Sequence, residues 1–275
     1  MTGMPQGRLE TGFSWDKGLL RELNEDSILC TSFALRTHLG VVTAGLFAVA
    51  DGMGGHNAGE IASDLATRTI HTECVANLFS QRPAPPLSIL ASAFDKANSS
   101  IFESSSDSEL KGMGTTLTAA LVIGEDLYLA HIGDSRCYII NARETIQVTK
   151  DHSVVQQLVD AGAITSEQAR NHPRRNEITR VLGYSREVVP DLHHIKLYAG
   201  DSILFCSDGL HGVLPVNEIA ETVLGSPNPD QACADLTAQA NLAGGPDNIS
   251  VIIVKPANLP SWQAMITAHT SIRRT

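Results

Sequence analysis

The chain of 275 residues has little of what several broad protein classes require. Aromatic residues make up 5% of it, and basic residues are outnumbered, 20 Lys and Arg against 30 Asp and Glu. The resulting formal charge of −10 argues against a surface that tracks phosphate backbones, and so against nucleic acid as the main partner. The five cysteines, Cys30, Cys74, Cys137, Cys206 and Cys233, are an odd number and widely scattered, with no Cys-x-x-Cys pair. Neither a disulfide framework nor a zinc knuckle is indicated. Cys30, Cys137 and Cys206 lie in apolar runs, where a thiol acts as a small hydrophobe. No stretch approaches the roughly 18 uninterrupted apolar residues of a membrane span. The opening MTGMPQGRLETG also lacks the apolar core of a signal peptide. A cytoplasmic protein with no membrane segment is expected.

With 43% hydrophobic residues the chain can bury a full core without staples. Strand-like runs recur at Leu46–Ala50, Thr116–Ile123, Leu127–Ile132, Cys137–Ile140, Ser202–Cys206 and Ile249–Val254. Several look apolar on both faces, as strands covered on both sides do. Helical spacing is present in Gly59–Phe79 and Leu87–Phe102, which RPAPP at 82–86 separates. A third helix is predicted over Ser153–Ala161, stopped by Gly162. A short one follows at Ser166–Asn171 with Ser166 as its N-cap, and a last one covers Pro229–Ala243. Strands and helices in blocks, rather than in strict alternation, predict an α+β fold. One domain is expected over residues 1–255, with an irregular insertion at about 151–183. A loosely held tail is expected over 256–275.

Acidic residues recur where apolar strands end or glycine follows: Glu25-Asp26 in RELNEDSI, Asp51 in AVADG, Asp134 in IGDSR, Asp208 in LFCSDG and Asp247 in GGPDNISV. Any one of these alone reads as a turn or a solvated loop. As a set they are harder to dismiss, because a buried carboxylate is costly unless it is paired or metal-bound. Mg²⁺ and Mn²⁺ are hard cations that take carboxylate and carbonyl oxygens, and the set could converge on such an ion.

In chain order the motifs are RELNED at 21–26, DGMGGH at 51–56 with Gly59-Glu60, GMGTTLTAAL at 112–121 and HIGDSR at 131–136. TKDHS at 149–153, HPRRN at 172–176, ITRVLG at 178–183, GDSILFCSDGL at 200–210 and GGPDNISVIIV at 244–254 follow. This ordered set, from about Gly12 to Val254, resembles the metal-dependent type 2C serine/threonine protein phosphatases in their bacterial form. The resemblance implies a four-layer αββα sandwich, two central antiparallel β-sheets flanked by helices, with residues 151–183 as a flap beside the cleft. It implies two Mg²⁺ or Mn²⁺ ions per site and possible occupation of a third, weaker site. Asp51 matches the bridging carboxylate and Gly52 a carbonyl ligand. Asp208 and Asp247 match the remaining carboxylates of the first metal. Glu25 and Asp26 match groups that reach the second metal or hold its waters, and Asp134 matches a ligand of the third.

The implied reaction is hydrolysis of phosphoserine or phosphothreonine by a metal-activated water, which needs no side-chain nucleophile. Asp26 is a catalytic candidate on this reading. Arg21 matches the phosphate-binding arginine, a role its forked guanidinium suits better than lysine. His56 is the candidate general acid, with a plain loop histidine as the other reading, because Met53 stands where some members carry a histidine. His152 is expected to hold the start of the insertion, and His211 either to lie near the site or to be a surface residue, the second being the expected reading. Arg170, His172, Arg174 and Arg175 make the flap locally basic, a composition that could receive an acidic phosphopeptide or form a solvated face. Phosphorylated proteins are the expected partners, with a cognate serine/threonine kinase opposing the enzyme, and the chain is expected to be a monomer. Two competing readings are a metal-dependent phosphoesterase acting on small molecules or nucleotides and a pseudophosphatase that only binds phosphoproteins. The second usually lacks a metal carboxylate, and Asp51, Asp208 and Asp247 are all present here.

Overall fold

The apolar runs become strands of two antiparallel sheets in the computed structural model, which describes residues 7–37, 40–54, 58–105 and 110–257. The chain begins with β1 (Arg8–Asp16), β2 (Asp26–Thr37) and β3 (Gly40–Met53), then the helices α1 (Ala58–Leu78) and α2 (Pro86–Ser104). A meander follows: β4 (Gly114–Thr115), β5 (Leu117–Ile123), β6 (Asp126–Ile132), β7 (Arg136–Ile140) and β8 (Thr145–Gln147). The flap carries α3 (Val154–Asp160) and α4 (Ser166–Arg170). The chain then forms β9 (Asp191–Lys196), β10 (Ser202–Cys206), α5 (Asp208–His211), α6 (Val216–Gly225), α7 (Pro229–Leu242) and β11 (Ile249–Ala257).

One sheet has the order β1-β11-β10-β7-β8, and the other β2-β3-β5-β6-β9 with β4 against β3. Strand β5 explains the layering. Leu117, Ala119 and Leu121 face α1 and α2 beside Ala62, Ile70 and Phe94, while Ala120 and Val122 face the other sheet beside Phe205 and Ile252. A strand covered on both faces has no polar side, so it reads as an unbroken apolar run. Phe47 and Phe205 stack across the middle layer with centroids 6.2 Å apart. On the far side Ile219, Val223 and Leu236 of α6 and α7 close over Leu204 and Ile253. The layers are helix, sheet, sheet, helix, as the resemblance implied.

Several elements depart from the sequence reading. β1 and β9 are outer strands of their sheets with mixed exposure. Polar residues interrupt both, which hides them among loops. Thr165, not Ser166, caps α4, because Thr165 accepts from Gln168 N–H while the Gln168 side chain accepts from Thr165 N–H. Ser153 caps α3 and accepts from Gln156 N–H, and Gly162 at φ +68° follows that helix. β11 runs on through Pro256 to Ala257, so the start of the expected tail is paired with β1, and the rest of the tail lies outside the described residues. Among the described residues no helix is long and apolar enough to cross a membrane.

Candidate active site

The acidic motifs converge at one end of the sandwich because each lies where a strand begins or ends. Asp26 opens β2 and stands directly opposite Asp51 near the end of β3. Asp208 follows β10 at the start of α5, Asp247 precedes β11, and Asp134 lies in the turn from β6 to β7. Like charges placed opposite one another on paired strands repel. The backbone nevertheless holds Asp51 firmly: its N–H donates to Thr116 Oγ1 at 2.9 Å, and its carbonyl accepts from Thr116 N–H at 2.9 Å.

Gly52 can only be glycine here. A Cβ at this position would lie 2.1 Å from the Gly59 carbonyl oxygen and 2.6 Å from that of Glu25. The missing side chain lets the start of α1 and the Glu25 segment close on β3, and Gly52 N–H donates to Glu25 O at 3.1 Å. Asn248 clasps the same segment. Its Oδ1 accepts from Glu25 N–H at 2.8 Å, and its Nδ2 donates to the carbonyls of Lys17 and Leu23, each at 2.9 Å. The loop carrying Arg21 and Glu25 is thereby tied to the residue after Asp247.

The electrostatics are those of crowded, poorly compensated carboxylates. Burial, then the carboxylates of Asp26, Asp208, Asp134 and Asp247, hold Asp51 well above the usual range. Burial first and Asp208 next do the same to Asp134. Asp26 is pushed up to about 7, mainly by burial, although Ser207 Oγ donates to its Oδ2 at 2.8 Å. Asp208 rises to about 6 through burial and then Asp247. One carboxylate oxygen on each of Asp26, Asp134 and Asp208 is buried with no hydrogen-bond partner among the described residues. Arg21 brings positive charge to the edge of the cluster, with Nη2 2.7 Å from Asp247 Oδ2 and Nη1 3.9 Å from Glu25 Oε2.

Orphaned carboxylate oxygens under mutual repulsion are the donor set a hard divalent cation would satisfy. As they stand, no three or more His, Cys, Asp or Glu side chains among the described residues are grouped to hold an ion. The carboxylates are instead braced by protein donors: Ser207 for Asp26, and Arg21 and the Asn248 N–H for Asp247.

The structure therefore brings Arg21, Glu25, Asp26, Asp51, Gly52, Asp208 and Asp247 together, with Asp134 near Asp208 and Asp151. His56 lies outside the described residues. His152 anchors the flap, as expected. Its Nδ1 accepts from Gly133 N–H at 3.0 Å, and its Nε2 lies 3.1 Å from Asp191 Oδ2. Of the two readings for His211, the structure favours the one beside the site. The residue is half-buried with Nε2 donating to the Asp134 carbonyl at 3.0 Å, and burial, then Arg136, lower it to about 3. Ser207, Asn248 and Thr116 are supporting residues that the sequence reading missed. Their signal is a short polar side chain next to a motif aspartate or inside an apolar run.

A family model described as protein phosphatase 2C matches residues 17–249. The chain is 41% identical over 243 residues to the serine/threonine protein phosphatase PstP of Mycobacterium tuberculosis, an alignment covering 86% of this chain and 43% of that protein. It is 35% identical over 247 residues to the serine/threonine phosphatase stp of Listeria monocytogenes, covering 88% and 94% of the two chains. The catalytic domain of PstP, solved in complex with two manganese ions, superposes with a TM-score of 0.78 at 38% identity, covering 92% of this chain and all of that one. The chain spans less than half of the full PstP protein and nearly all of the Listeria one. On this evidence the chain belongs to the protein phosphatase 2C family.

Proposed function

We propose that this chain is a metal-dependent protein serine/threonine phosphatase that hydrolyses phosphoserine and phosphothreonine. The observation that carries the reading is the mutual crowding of Asp26, Asp51, Asp134 and Asp208, with one buried carboxylate oxygen each on Asp26, Asp134 and Asp208 that no donor among the described residues satisfies. A chain of this family whose relatives include a domain solved with two manganese ions fits that donor set.

Asp51, Asp208, Asp247 and the Gly52 carbonyl would hold one Mn²⁺ or Mg²⁺. Glu25 and Asp26 would hold the second or its waters, and Asp134 would hold a third if that site fills. When bound, the metal pair supplies a water of lowered pKa and charge stabilisation for the transferring phosphoryl group. The protein's own part is positioning. Ser207 fixes one oxygen of Asp26 and leaves the other without a hydrogen-bond partner among the described residues. Asn248 holds the loop that presents Arg21, whose guanidinium is half exposed and suited to fork onto two phosphate oxygens. His56 remains the proposed proton donor to the leaving alkoxide. The single domain over 1–255 would act as a cytoplasmic monomer on phosphorylated proteins and oppose a bacterial serine/threonine kinase.

Hydrolysis of a phosphothreonine peptide at about pH 8 tests the reading, run with EDTA, Mg²⁺ or Mn²⁺ on wild type and Asp208→Asn. Activity that needs the metal and is lost in the variant is the expected result. Wild type that stays inactive with either metal while still binding the peptide would leave a phosphoprotein-binding module instead.

A further inference from the structure

A cleft of about 380 Å³ opens beside the carboxylates, between the flap and the α5–α6 segment. Its inner end is shared with the cluster, since Asp134, Asp208 and His211 line it. Arg136 is also in its lining, but that guanidinium is already committed: Nε and Nη2 donate to Asp151, and Nη1 donates to the Tyr138 hydroxyl. Two flap arginines on the wall, Arg170 and Arg175, are not neutralised in this way. Arg174 is paired with Glu177 and Arg180 with Asp191, whereas neither Arg170 nor Arg175 has a carboxylate partner among the described residues. Arg170 reaches the far side of the cleft, where its Nη2 donates to the Leu214 carbonyl at 3.1 Å. Arg175 is exposed and makes no side-chain hydrogen bond among the described residues. Leu214, Val216 and Ile219 add apolar surface to the same lining.

We propose that this cleft is a second anion subsite of the substrate polypeptide. It takes an acidic group, a second phosphorylated side chain or a carboxylate, carried by the same chain as the phosphoresidue in the active site. The proposal rests on the phosphatase reading above and names the substrate class within it. Asp134 and Asp208 lie at the inner end and Asp151 is paired with Arg136, which leaves the two guanidiniums without carboxylate partners as the groups of this cleft open to an anion. Arginine holds phosphate or carboxylate through paired N–H bonds, so an anionic side chain gains contacts there that a neutral one does not. The apolar lining gives the intervening residues a surface to lie on.

The test compares kcat/KM for p-nitrophenyl phosphate, a phosphothreonine peptide with neutral flanks, and the same peptide carrying either glutamate or a second phosphothreonine at successive flanking positions. At one spacing, wild type should prefer the acidic peptide over the neutral one by about tenfold, expressed in KM. In Arg170→Gln/Arg175→Gln that ratio should fall to about one, and Arg170→Lys/Arg175→Lys should keep part of it. The glutamate and phosphothreonine arms separate a carboxylate from a phosphate. Anisotropy of the labelled acidic peptide in EDTA should lose the same preference, which is a readout independent of turnover. Arg175→Gln alone guards against a folding artefact, since that side chain holds nothing in place, and it should lower the ratio by itself. The proposal is overturned if wild type shows no acidic preference at any spacing, or if the variants slow all three substrates alike. Normal turnover of the two neutral substrates without an acidic preference sinks the subsite alone. No turnover of either sinks the phosphatase reading with it.

Discussion

Asp26 is 2% exposed, with Ser207 on one carboxylate oxygen and no partner on the other among the described residues. Its carboxyl is raised by burial from an ordinary 3.8 to about 7. A folded state that binds a proton more tightly than the unfolded chain is favoured below the lower value and loses that advantage as pH rises to the higher one. For the metal-free protein, this group therefore contributes stability that disappears between about pH 4 and pH 7. Asp26→Asn should raise the melting temperature of EDTA-treated protein at pH 8 by a few degrees and lower phosphatase activity by about 100-fold or more. An unchanged or lower melting temperature in that variant would show that the carboxylate is compensated by protein groups. Gly52→Ala makes the opposite kind of prediction. Its Cβ would sit 2.1 Å from backbone, so the variant should lose about 2 kcal/mol or more in urea unfolding, with or without metal. At this scale the sequence made the charged residues legible, because a carboxylate at the end of an apolar run is anomalous by itself. The groups that hold them were hidden, because a serine such as Ser207 or an asparagine such as Asn248 is ordinary in any loop.

Among the elements, the flap is locked at its base by a short polar chain. Arg180 Nη1 donates to Asp191 Oδ1 at 2.8 Å, and Asp191 Oδ2 meets His152. His152 accepts from Gly133 N–H, next to Asp134, and its ring stacks on His131 with centroids 4.9 Å apart. Breaking it with Arg180→Ala should cost about 1 kcal/mol, since the ion pair is part-exposed. The same change should speed proteolytic nicking within 161–176, and nicking at the wild-type rate would show that the lock does not hold the flap. Among the strands legible in sequence, β5 and β10 are buried along their whole length and β11 over Ile249–Val254. β1 and β9, with exposed positions among buried ones, and the short α5 were not legible, since an outer strand with polar residues looks like a loop until a partner strand is known. The cap of α4 was misplaced by one residue for a similar reason. Thr165 and Ser166 are both good caps, and only the reciprocal bond from Gln168 decides between them.

For the molecule as a whole, the site lies where the two sheets meet. Asp26 and Asp51 come from one sheet, Asp208 and Asp247 flank strands of the other, and Asp134 sits on the chain crossing from β6 to β7. Cations bound there would tie the sheets together and offset the burial and the carboxylate repulsion that raise Asp51, so binding should stabilise the fold by mass action. Saturating Mn²⁺ should therefore raise the melting temperature of wild type at pH 8 and do little for Asp51→Asn. The overall α+β architecture was readable because helical and strand runs come in blocks, and the acidic motifs could be grouped as a candidate site because they stand in family order. The most direct test of the two-metal centre is a calorimetric titration of Mn²⁺ into metal-free protein at about pH 8, comparing wild type with Asp51→Asn. Two ions per wild-type chain and loss of both in the variant are predicted, because Asp51 is the carboxylate proposed to be shared by both ions. Binding that Asp51→Asn leaves unchanged, or no specific binding to wild type, would contradict the two-metal centre.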